Sequence, residues 1–164
     1  TGSATHYPCY IIFRVGMLNM VPFVLAFFMQ QHWFVKHCYS CCGLRPPHCG
    51  MKLVFYLSFI VCFFMGVAVA TIDAGNMNGS LHGTTAVLFF LLVDINFLII
   101  YHHMHEVRKV SGSRFISDKS YYCKIIRGVS YMVVVAFALF SQIEKKPYSY
   151  VAGCEWTIAT LMIL

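Results

Sequence analysis

Leu81-His-Gly-Thr-Thr-Ala-Val-Leu-Phe-Phe-Leu-Leu-Val-Asp-Ile-Asn-Phe-Leu-Ile-Ile-Tyr-His-His-Met-His105 is the stretch that decides the fold. Its near-continuous apolar part, Ala86 to Tyr101 with flanks, matches the roughly 20 residues of helix that cross a bilayer core. Asp94 lies near the middle. A carboxyl group at that depth costs roughly 2.5–3.5 kcal/mol, so Asp94 and nearby Asn96 are expected to be buried polar groups facing protein. Hydrogen bonding of Asp94 to a neighbouring helix is the favoured reading. A proton route along the face it shares with His105, three turns on, is the alternative. The two ends differ in chemistry. Asn78-Gly79-Ser80 precedes the span and is a candidate glycosylation site, usable only on the lumenal or extracellular side. His102, His103 and His105 follow it, then Arg108-Lys109, as at a cytosolic end.

Outward from this stretch the same pattern repeats. Apolar runs at about 10–31, 53–72, 84–104, 125–143 and 148–164 predict five spans of an all-α, polytopic transmembrane helix bundle forming a single domain. Of the 164 residues 59% are apolar, and the few charges lie between the runs. The net charge of +6 therefore reads as topology and not as a nucleic-acid-binding stripe. Lys36, Arg45 and Lys52 fall in one loop, and Arg108, Lys109, Arg114, Lys119, Lys124 and Arg127 in another; Arg14, Lys145 and Lys146 fall on the opposite side. This bias predicts a lumenal or extracellular N-terminus and a cytosolic C-terminus for this chain. The start lacks a basic n-region and the end at Leu164 is still apolar, so a fragment of a longer chain is expected.

The ionisable residues on the lumenal side are Arg14, Asp73, His82 and Glu155, and they are the candidates for holding a lipid headgroup. Snorkelling of Arg14 and ordinary hydrogen bonds between helices are the plainer reading. On the cytosolic side Cys38, Cys41, Cys42 and Cys49 share a loop with His37 and His48. Three readings stay open for them: juxtamembrane palmitoylation, a weak metal site of Cys-x-x-Cys type, or reduced unmodified thiols. Gly66-x-x-x-Ala70 offers a small-residue face for close helix packing. No nucleophile elbow, zinc-protease helix or phosphate loop is present, so the sequence leans away from an enzyme and implies no cofactor.

Three stretches carry a family resemblance. Pro147-Tyr-Ser-Tyr-Val-Ala-Gly-Cys-Glu-Trp-Thr-Ile-Ala-Thr160 resembles the last helix of the damage-regulated autophagy modulator (DRAM) proteins. Cys62-Phe-Phe-Met-Gly-Val-Ala-Val69, followed by Leu81-His-Gly-x-x-Ala86, is similar to their middle helices. Phe13-Arg-Val-Gly-Met-Leu-Asn-Met-Val-Pro22 looks more like the post-GPI-attachment lipid-remodelling factor, although Phe23 stands where that pattern has Arg. These belong to one superfamily with FGF-receptor-activating protein and the yeast suppressor of four-kinase. The resemblance implies a sixth, N-terminal span ahead of Thr1 and a role with lipids and membrane traffic. That role would be GPI-anchor lipid remodelling, phospholipid distribution or transfer, or autophagy, in the secretory or endolysosomal system or at the plasma membrane. Membrane lipids and other membrane-protein subunits are the implied partners. A non-enzymatic subunit anchoring a larger membrane assembly is the alternative function.

Overall fold

The computed structural model describes residues 9–71, 79–143 and Thr157. Among them lie four helices and no strand: α1 (Cys9–Cys41), α2 (His48–Ala70), α3 (Gly79–Ser111) and α4 (Asp118–Ile143). The chain is therefore all-α. It divides into two compact units, Gly2–Ile116 with α1 to α3, and Ser117–Leu164 with α4. Asp73, Asn78, Glu155 and the expected span at 148–164, apart from Thr157, fall outside the described residues.

Two of the helical stretches, His48–Ala70 and Leu81–Ser111, are long and apolar enough to cross a membrane. Their outward faces are as greasy as their inward ones. On α2, Val61 is fully buried while Phe63, two residues on, is 64% exposed. Water would oppose that arrangement repeated along a whole helix; lipid does not. The five-span count goes beyond these two.

The helices outrun their apolar cores because their stop signals lie further on. α1 has 33 residues and runs through Pro22 and past Gln31. It stops at Gly43, whose φ of 67° suits a residue without a Cβ. There the Gly43 N–H donates to the Ser40 carbonyl and the Leu44 N–H to the Tyr39 carbonyl, both at 3.0 Å, which is a Schellman motif. Pro46 and Pro47 then turn the chain, and Pro47, in extended conformation, opens α2. α3 also ends at a glycine with positive φ, Gly112 at 59°, but through the single N–H bond to the Arg108 carbonyl of an αL cap. In the second unit Ser117 starts α4: its Oγ accepts the Ser120 N–H at 3.2 Å, an N-cap, with Asp118 in the first turn.

Within the first unit α2 packs most extensively on α3, then on α1. Its buried stripe is Val54, Leu57, Ser58, Val61, Cys62, Met65, Ala68 and Val69. With it, Phe28 and Val35 of α1 and Val93, Ile100 and Met104 of α3 are buried in the core. Phe28 and Phe97 tie α1 to α3 with ring centroids 5.6 Å apart. Among the described residues nothing packs closely on the small-residue face expected at Gly66 and Ala70. A Cβ on Gly66 would meet nothing within 4 Å, and Ala70 is exposed. The close approach is at Gly50 instead, where a Cβ would stand 2.6 Å from His103 Nε2.

Candidate functional site: the polar ends of the three-helix unit

The side chains at the Arg14 end converge on a helix terminus. An α-helix leaves its last carbonyls without N–H partners, and these carry the partial negative charge of the helix dipole. At the end of α2 three elements supply the missing donors. The Arg14 guanidinium, from α1, donates to the Ala70 carbonyl. His82, from α3, donates through Nδ1 to the Ala68 carbonyl at 2.8 Å, which fixes the ring proton on that nitrogen. Thr71 folds its hydroxyl back onto the Val67 carbonyl at 2.9 Å and the Ala68 carbonyl at 3.1 Å. Both Arg14 and His82 are half-buried. Two of the four residues expected to form a lipid-headgroup site are thus brought to one place; the other two, Asp73 and Glu155, are not among the described residues.

Midway along the unit, the two polar residues of the central span divide. Asn96 is fully buried and donates from Nδ2 to Ser58 Oγ on α2 at 3.1 Å, while Ser58 donates to the Val54 carbonyl at 2.7 Å. Asn96 Oδ1 has no hydrogen-bond partner among the described residues. Asp94 is half-buried and makes no hydrogen bond or ion pair among the described residues. It lies roughly 100° around α3 from fully buried Val93, away from the Phe89, Val93, Asn96 and Ile100 stripe.

The opposite end is built from side chains meeting side chains. Tyr39 of α1 and His103 of α3, both buried, are hydrogen-bonded through the phenol oxygen and Nδ1 at 3.2 Å. Gly50 of α2 leaves the room that the imidazole occupies. Burial, and next the negative charge of Glu106, push the Tyr39 phenol above its usual range, so it keeps its proton at neutral pH. Close by in sequence, Cys38 is buried, Cys42 is half-buried, and Cys41 and Cys49 are exposed. His37 Nε2 lies 3.4 Å from Cys41 Sγ, one helical turn away. No three His, Cys, Asp or Glu side chains among the described residues are grouped to hold a metal ion.

Sequence reasoning singled out Asn96 but not its partner Ser58, and it missed the Tyr39, Gly50 and His103 junction. A glycine in the first turn of a membrane helix was the available signal for the second. Compared with known families, residues 3–164 match the model described as Frag1/DRAM/Sfk1/Cwh43P N-terminal domain. No curated protein and no solved structure matches the chain significantly.

Proposed function

Because the chain belongs to the Frag1/DRAM/Sfk1/Cwh43P family, and so to a family of membrane proteins, we propose that it handles lipids at the Arg14 end of its bundle. The observation that supports this most is the convergence of Arg14 and His82, from different helices, on the carbonyl end of α2. A lipid phosphate or carboxylate arriving there meets a guanidinium already held in place, with little further loss of side-chain freedom. The reading includes five spans, a lumenal or extracellular Arg14 end, a cytosolic C-terminus, and residence in the endomembrane system or plasma membrane. GPI-anchor lipid remodelling and phospholipid distribution or transfer are the activities that suit it. Asp73 and Glu155 belong to the proposed site as acidic partners for the headgroup or for Arg14.

A second reading has its own support. The hydrogen bonds of Arg14 and His82 described above run to main-chain carbonyls, and Asn96 and Ser58 form a buried contact between helices. A subunit that only anchors a larger membrane assembly needs no more than that. Native mass spectrometry of the protein released from nanodiscs of phosphatidylcholine with phosphatidylserine or phosphatidylinositol separates the two. Under the lipid-handling reading, Arg14→Gln and His82→Gln each lower retention of the anionic lipid several-fold with little change in melting temperature. Unchanged retention with a lower melting temperature would leave these residues as helix caps and favour the anchoring role.

A further inference from the structure

We propose that Cys41 and Cys49 are sites of S-acylation by a long-chain fatty acyl thioester, with His37 taking the proton from the Cys41 thiol. The inference concerns the end of the unit opposite the proposed lipid site and rests only on the orientation given above. Its starting point is depth. Tyr39, Gly50 and His103 are in contact and so stand at one level of the bundle. The apolar run of α2 starts three residues inward of Gly50, at Leu53. At 1.5 Å per residue, Cys49 lies about 6 Å and Cys41 about 7–8 Å outside that start. The headgroup layer is about 5–7 Å thick on each side, so Cys49 sits in its outer part and Cys41 at its outer edge. An acyl chain attached there re-enters the same leaflet without moving a helix.

Access and chemistry agree with the depth. Cys41 and Cys49 are exposed, whereas Cys38, on the same helix as Cys41, is 2% exposed and closed to a reagent. Lys36, Arg45 and Lys52 are exposed around the pair and attract an anionic leaflet and the phosphates of a coenzyme A thioester. In the transfer the Cys41 sulfur forms a bond to the acyl carbonyl carbon and the donor's carbon–sulfur bond breaks. The thiol proton passes through His37 Nε2 to the departing thiolate. Nothing is oxidised or reduced.

The test is acyl exchange on the full chain expressed in cells: free thiols are blocked, thioesters are cleaved with hydroxylamine, and a maleimide mass tag counts the thiols released. The wild-type chain should carry hydroxylamine-dependent tags that disappear in Cys41→Ser/Cys49→Ser and persist in Cys38→Ala. His37→Ala should lower the Cys41 tag several-fold and leave the Cys49 tag as it was. The proposal fails if the wild-type chain carries no hydroxylamine-dependent tag, or if the tags survive in the double variant. It also fails if an impermeant maleimide reaches Cys41 and Cys49 only from the lumenal side; the orientation then falls with it, while loss of the tags alone leaves the lipid site untouched.

Discussion

The two ends of the three-helix unit use polar residues in opposite ways. At the Arg14 end, side chains reach main-chain carbonyls at a helix terminus, where several donors can serve and some movement is tolerated. At the Tyr39 end, two buried side chains bond to each other, and one of them fills the space left by a missing Cβ. The first arrangement gathers its donors at a helix terminus, where the proposed ligand would bind. The second holds three helices in register through buried side chains. Function should therefore be more sensitive to change at the first, and folding at the second.

The sharpest way to break the contrast is Gly50→Ala. Its Cβ would stand 2.6 Å from His103 Nε2, and the ring cannot swing aside without losing Tyr39. Overpacking of this kind costs about 1–3 kcal/mol, read as a lower unfolding midpoint in detergent. Adding His103→Ala should recover much of that loss, because the clash partner is gone. If Gly50→Ala is as stable as wild type, the three helices are not in the register described.

Next in size is Ser58→Ala, which leaves the Asn96 amide buried without its acceptor. Hydrogen bonds between membrane helices average about 0.6 kcal/mol and reach about 1.7 kcal/mol, and the full burial of this one places it in the upper part of the range. Tyr39→Phe removes one hydrogen bond and keeps the ring, so its cost should lie near the average of about 0.6 kcal/mol. Measuring all three variants on one denaturation scale orders them. An inversion, with Tyr39→Phe worse than Gly50→Ala, would mean that the bond and not the clearance holds this end.

The smallest effect is expected outside the bilayer. Lys109 and Glu106 form an exposed ion pair at 2.8 Å, one turn apart on α3. Exposed pairs of this kind contribute little, so Lys109→Ala should leave the unfolding midpoint unchanged within error. A clear drop would place Lys109 in contacts beyond this pair.

How much of this was legible depends on what each feature needs. The two apolar stretches were legible because apolar length alone identifies a span: the span expected at 53–72 overlaps α2 up to its end at Ala70, and the one at 84–104 lies within α3. The helix ends were less so. The apolar run of the first span fades at Gln31, yet α1 continues to Cys41, and the true stop signals, Gly43 and Pro46-Pro47, were in the sequence. Likewise α4 begins at Asp118 behind its Ser117 cap, ahead of the apolar boundary at 125. Side-chain facing was the hardest. A helix that is apolar all round gives no phase, so nothing in the sequence said that Asn96 turns to α2 while Asp94 lies off the packed stripe. The pairing of Gly50 with His103 requires the register between two helices more than fifty residues apart in sequence. The convergence of Arg14 and His82 was legible only as a shared side of the membrane; that both would meet the end of α2 was not.

The account rests on α2 and α3 crossing the membrane in opposite directions, so that its two polar ends lie in opposite leaflets. The most direct measurement places a single cysteine by Arg45→Cys, Lys109→Cys or Leu81→Cys in a chain whose exposed native cysteines are serine. Each is reacted with a membrane-impermeant maleimide on sealed and on opened vesicles. The account predicts that the Arg45→Cys and Lys109→Cys chains react from one side and the Leu81→Cys chain from the other. Reaction of Arg45→Cys and Lys109→Cys from opposite sides would contradict it.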